Sequence, residues 1–194
     1  RGMTQRLALA AASVTDPELV LLDEPSSALD PGGRAAVLDL MEELIEVFGG
    51  EYFHIGHDEA SFDDIGTCPR CEGKDPGQLF VDDIIKQHAW LAERGMRTVM
   101  WGDMFLPWGN GLVYGTKDLT DQLPKDIHIA DWHYGSSYGW SNSLDYWKAH
   151  GFEALCCPWY EPQNVWNATE AVQTHGAVGL MGTAWSSVDT ALNS

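Results

Sequence analysis

Positive charge is scarce in this chain: eleven Lys and Arg residues stand against 29 Asp and Glu, leaving a formal net charge of -18. Such a field repels phosphate backbones and anionic headgroups, so neither nucleic acid nor membrane insertion is expected. Long apolar runs are missing too. Nothing approaches the roughly 20 residues needed to cross a bilayer, and no basic start with an apolar stretch and small-residue cleavage site marks a secretory leader. Cysteine is sparse. Four residues, Cys68 and Cys71 in Cys-Pro-Arg-Cys and the adjacent Cys156 and Cys157, do not make the disulfide framework of a small secreted domain, and a reducing, cytoplasmic compartment is expected. No internal repeat or low-complexity tract is present. The chain opens on Arg1 rather than Met, and an upstream segment is expected to precede it.

What is plentiful is tryptophan, nine residues of a type that is rarely hidden completely. All follow the Ala- and Leu-rich stretch Arg1 to Asp30, and many are expected to line a cleft. The early stretch reads as a helix over Met3 to Ser13, a turn at Asp16-Pro17 and a buried strand over Leu19 to Leu22. A helical stripe of Val37, Leu38, Met41, Leu44, Ile45 and Phe48 follows, closed by Gly49-Gly50. Beyond it, apolar segments predict strands at Tyr52 to Gly56, Thr98 to Trp101, Ile127 to Trp132, Ala154 to Trp159 and Val178 to Ala184. Helices are expected at Leu79 to Arg94, Leu144 to His150 and Ala168 to His175. Strand and helix in alternation imply an α/β fold with parallel strands and right-handed crossovers. Polar and aromatic residues gather where these strands end, the rim on which barrel enzymes carry their chemistry.

At the first of these ends stands His54-Ile55-Gly56-His57-Asp58-Glu59. It resembles the His-x-Gly-x-Asp-Glu motif of glycoside hydrolase family 20, the β-N-acetylhexosaminidases, and Trp101-Gly102-Asp103, Trp132 and Trp185 recur where that family walls its sugar pocket. The resemblance runs from about Phe53 to Trp185. It implies the C-terminal part of a (β/α)8 TIM-type barrel, expected to be incomplete because a full barrel needs about 250 residues and eight strands. It also implies hydrolysis of terminal β-linked N-acetylhexosamine residues by substrate-assisted retaining catalysis, with no metal or organic cofactor. Asp58 and Glu59 would be the catalytic carboxylates, Glu59 as acid and then base, Asp58 orienting the acetamido group and stabilising the oxazolinium ion. Adjacent carboxylates suit such a division, since each discourages ionisation of the other. His54, His57, Trp101, Asp103, Trp132, Tyr134, Trp159 and Trp185 are the candidate sugar contacts. Aromatic faces match the apolar faces of a pyranose ring, and polar groups such as Asp103 and Tyr134 can fix its hydroxyls.

Blander readings stand beside these. Asp58 and Glu59 are also what a helix N-terminus favours, His54 and His57 also suit local loop bonding, and each tryptophan alone is core or pocket wall. Two features depart from the family: no early-strand arginine is present to grip the sugar, and no acidic residue soon follows Trp185. Cys68 and Cys71, with His57 or His54, offer part of a zinc ligand set, but a single CxxC defines no site and no metal is assigned.

The start of the chain carries a second resemblance. Arg1-Gly2-Met3-Thr4-Gln5-Arg6, Leu21-Leu22-Asp23-Glu24-Pro25 and Ser27-Ala28-Leu29-Asp30 resemble, in order, the signature tail, Walker B strand and D-loop of an ABC transporter ATP-binding subunit. That resemblance implies nucleotide-site roles for Gly2, Gln5, Asp23, Glu24 and Asp30. The loop G-x-x-x-x-G-K-[ST] that cradles phosphate is absent, so ATP hydrolysis is not expected. The chain therefore reads as composite, with an ATPase-like fragment over residues 1–40 and the rear of a sugar-cleaving barrel over 41–194. Its open sheet edges are expected to promote self-association.

Overall fold

The computed structural model describes residues 31–62, 65, 67, 69, 71–135, 137 and 139–185. The elements expected before residue 31, the candidate nucleotide residues Gly2, Gln5, Asp23, Glu24 and Asp30, and Cys68 lie outside the described residues. Helix α1 (Pro31–Phe48) leads to strand β1 (Tyr52–His54), then α2 (Pro76–Ala92), β2 (Arg97–Trp101) and β3 (His128–Trp132), and the chain continues through α3 (Ser141–Ala149), β4 (Glu153–Cys157), α4 (Pro162–His175) and β5 (Gly179–Leu180). The five strands lie in the order β1-β2-β3-β4-β5, and each neighbouring pair is parallel. This is half of a (β/α) barrel.

Local chemistry explains the alternation. Asp75 caps α2 by accepting the Gln78 amide at 2.8 Å, and Pro76 supplies a preset φ at the first helical position. Gly95, at φ 73°, turns the chain back toward β2. Helix α4 starts earlier than the sequence pattern suggests, because Pro162 nucleates a stretch whose Asn and Thr residues are indifferent helix formers; it ends at Gly176, φ 75°. The last strand is shorter than expected. Even so, Met181 and Thr183 donate to the Cys156 and Pro158 carbonyls at 3.0 Å, so the chain runs beside β4 beyond Leu180.

The two faces of the sheet differ. Phe53, Ile55, Met100, Ile129, Ala154 and Cys156 pack with Val81, Ile84 and Leu91 of α2 and with Leu144, Trp147 and Ala168 from the later helices, a core built on one side. Each fully buried Ile or Leu there contributes about 1.5–3 kcal/mol relative to exposure. The other face carries Val99, Trp101, Ala130 and Cys157, with Tyr52, Trp132, Leu155 and Met181 against them. In a closed barrel this would be the interior.

The connection from β2 to β3 is the part that periodicity misses. Asp103–Phe105 and Thr116–Gln122 form 3-10 turns around a single helical turn at Asn110–Val113. Buried Thr116 and Thr120 donate to the Met104 and Phe105 carbonyls, and Tyr146 also donates to Phe105 at 2.8 Å. Gly111 is required here, since a Cβ would lie 2.1 Å from the Leu106 carbonyl oxygen.

Candidate active site

The segment after β1 leaves the sheet through three left-handed positions within four residues, Gly56 at φ 78°, His57 at 73° and Glu59 at 43°. For the two residues with a Cβ this costs about 1–2 kcal/mol each, a form of strain that gathers at functional sites. One consequence is that His57 turns away from the inner face. Its Nδ1 lies 3.0 Å from the Ile55 carbonyl, its Nε2 3.3 Å from Asp83 on α2, and its ring packs edge-on against Phe80. This places the His57 ring with α2, apart from the aromatic residues at the ends of β2 and β3. Local bonding holds it there.

His54 is buried at the end of β1, its Nδ1 accepting the Gly56 amide at 3.0 Å and its ring 4.5 Å from that of Trp101. Burial, and secondarily the neighbouring His57, push its pKa from the ordinary 6.5 down to about 3. His54 is thus a neutral support beneath the rim, with Trp101 against it.

Asp58 is half-buried and Glu59 exposed. The Glu59 amide donates to Asp103 Oδ2 at 3.0 Å. Asp103, at the first turn beyond β2, also accepts Asn110 Nδ2 at 2.8 Å and Trp132 Nε1 at 3.3 Å. Burial raises its carboxyl above the usual range, while these donors pull it back. The charge of Asp58 reaches the Tyr134 hydroxyl, whose ionisation is opposed first by burial and also by Cys157 and Asp58. Both carboxylate residues are thereby linked to side chains at the C-terminal ends of β2 and β3.

The aromatic residues there form one connected wall. Trp101 lies 5.9 Å from Trp185, whose Nε1 donates to Tyr134 at 2.7 Å. Tyr134 stacks on Trp132 at 5.1 Å and meets Trp159 at 5.6 Å. A cavity of about 440 Å³ opens beside Trp132, His133, Tyr134 and Trp140. Not every tryptophan serves the wall. Trp140 and Trp147 are buried in the core and Trp90 stacks under the Arg94 guanidinium; of the four tryptophans joined by ring contacts in the wall, Trp132 borders that cavity, as does the buried Trp140.

Asn164 is a residue that sequence reasoning missed. It is fully buried on α4; its Nδ2 donates to the His133 and Gly135 carbonyls at 2.8 and 3.1 Å, and its Oδ1 accepts the Trp159 amide at 3.1 Å. It ties the loop after β3 to the loop after β4. Asn110, another omission, does similar work on Asp103. A polar residue in a weakly periodic segment gives no signal that its partners are main-chain groups elsewhere. The paired thiols of β4 are unreactive: burial, with Asp131 nearby, pushes Cys156 up to about 12 and Cys157 well above its ordinary value. Among the described residues no three His, Cys, Asp or Glu side chains gather as a metal site would require.

The model of glycosyl hydrolase family 20, catalytic domain, matches residues 27–178. The energy-coupling factor transporter ATP-binding protein of Leuconostoc mesenteroides is 28% identical over 137 residues, covering 68% of this chain and 46% of that protein. This match is longer than the part of the chain outside 27–178, so the two similarities overlap. Among solved structures, dispersin B is similar at 20% identity and a TM-score of 0.47, over 78% of this chain and 50% of its own. A beta-N-acetylhexosaminidase from Bacteroides fragilis is similar at 18% identity and a TM-score of 0.44, over 66% of this chain and 24% of its own. The chain thus spans half or less of each of these proteins.

Proposed function

The chain belongs to glycosyl hydrolase family 20, and on that premise we propose that it cleaves terminal β-linked N-acetylhexosamine residues by substrate-assisted, retaining hydrolysis. The observation that carries the reading is the link from the Glu59 amide through Asp103 to Trp132, which ties the acidic loop after β1 to the aromatic wall. In the proposed reaction the acetamido oxygen of the substrate attacks the anomeric carbon while Glu59 gives its proton to the departing oxygen. Asp58 holds the acetamido N–H and balances the charge of the oxazolinium ion. Glu59, now ionised, then takes a proton from the water that reopens the ring with net retention. Trp101, Trp132, Tyr134, Trp159 and Trp185 supply the apolar surface for the pyranose. Turnover is expected to be slow, because the five strands among the described residues leave one side of the sugar uncovered.

The test is turnover of 4-nitrophenyl N-acetyl-β-glucosaminide by the 194-residue chain and its Glu59→Gln variant. The variant should lose at least about 100-fold in kcat, the scale of positioned general acid catalysis. Unchanged turnover would remove Glu59 from the acid role, and sugar binding without any turnover would leave a carbohydrate-binding remnant.

The similarity to a transporter ATP-binding protein supports a second proposal, that residues 1–40 derive from an ATPase joined to the barrel portion at 41–194. No G-x-x-x-x-G-K-[ST] loop occurs in these 194 residues, and ATP hydrolysis by them is not expected. A nucleotide-dependent rise in Tm would support the ATPase-derived fragment, and ATP-dependent release of phosphate would overturn the expectation of no hydrolysis.

A further inference from the structure

Asp103 sits where three separately folded segments meet. Its Oδ2 accepts the Glu59 amide at 3.0 Å and Asn110 Nδ2 at 2.8 Å, and its Oδ1 accepts Trp132 Nε1 at 3.3 Å. A carboxylate offers about four lone-pair sites, so these donors leave little capacity for a sugar hydroxyl. Of the three, the bond to Glu59 has the most leverage. Glu59 holds φ 43° although it bears a side chain, a conformation that persists only where the surroundings over-determine it. The direction in which the Glu59 carboxyl leaves the loop is set by that backbone.

We propose that Asp103 is a positioning residue rather than a sugar ligand: it locks the main chain of Glu59 and the indole plane of Trp132 together, so that acid and aromatic wall share one fixed frame. The inference rests on the hydrolytic role proposed for Glu59. An acceptor-only side chain is needed, because all three partners are donors. Asparagine would keep an oxygen for the Glu59 amide but turn an NH2 group toward the indole N–H or the Asn110 amide, so it preserves one function of Asp103 and spoils another.

The experiment uses the full chain with Asp103→Ala and Asp103→Asn, read by kinetics on 4-nitrophenyl N-acetyl-β-glucosaminide and by hydrogen exchange at the Glu59 amide. Asp103→Ala is expected to lower kcat about 100-fold with KM changed less than about threefold, the signature of a misplaced acid. Asp103→Asn should recover at least about tenfold of that loss. The Glu59 amide should exchange at least about tenfold faster in Asp103→Ala, while the Met100 amide within β2 is unchanged. A KM raised more than about tenfold at constant kcat would make Asp103 a substrate ligand and overturn the inference. Equal exchange at Glu59 in both proteins would overturn it as well. If the unsubstituted chain shows no turnover, the hydrolytic reading fails by itself, and the exchange measurement still decides whether Asp103 locks the Glu59 main chain.

Discussion

Replacing Asn164 by Ala gives the sharpest test of how the aromatic wall is assembled. The amide is completely buried and makes three hydrogen bonds, two to carbonyls of the β3 loop and one from the Trp159 amide. Removing it strands one main-chain donor and weakens two carbonyl acceptors. At about 1 kcal/mol for each lost bond, and more where the donor cannot reach water, the expected loss is about 3–4 kcal/mol. For a chain of this size each kcal/mol lowers Tm by about 2–4 °C, so the melt followed by circular dichroism should fall by about 6–16 °C. Asn164→Asp should be at least as damaging, since a carboxylate cannot donate to the His133 and Gly135 carbonyls. Gln163→Ala is the control. Its side chain donates to Asn167 at the exposed surface of the same helix, and the expected change is under about 0.5 kcal/mol. An Asn164→Ala melt within about 1 °C of the unsubstituted protein would refute the claim that this amide joins the two loops.

Other consequences follow from single positions. His54 is held neutral with a pKa near 3 against the ordinary 6.5, so between those values the unfolded chain takes a proton that the folded chain refuses. Stability therefore falls as pH drops below about 6.5, by about 2 kcal/mol at pH 5, and His54→Phe should flatten that part of the urea-midpoint profile; an unaltered slope would contradict it. Gly102→Ala would bring a Cβ within 2.6 Å of both Ile129 and Trp147, and should cost about 1–3 kcal/mol in denaturant titrations. The outer edges of β1 and β5 pair with no strand among the described residues, so sedimentation should show association growing with concentration. A monomer at every concentration would count against open edges.

The alternation of strand and helix was legible because its signals are local. The apolar period of Leu79 to Arg94 marks a helix and runs such as Ile127 to Trp132 mark buried strands, whereas the capped start at Asp75-Pro76 lies ahead of that period and was not read from it. The β2–β3 connection was not, since its order comes from threonine hydroxyls bonded to carbonyls about a dozen residues away and from a glycine pressed on Leu106. In the site, the convergence of the acidic loop with Trp101, Trp132, Tyr134 and Trp185 could be anticipated from their shared place at strand ends. The outward turn of His57 could not, because it depends on a positive φ and on Asp83 standing on the following helix. Asp103 was visible as a rim carboxylate, but the number of donors it satisfies is a property of three loops in space.

The central claim is that Glu59 and Asp58 assist an attack by the substrate's own acetamido oxygen. Fluorination of the N-acetyl methyl group weakens that oxygen as a nucleophile while leaving the leaving group unchanged. Measured on the full chain with 4-nitrophenyl substrates bearing zero to three fluorines, kcat/KM should fall steeply across the series. A flat series, with turnover equal for every substrate, would contradict the account and assign the attack to another nucleophile.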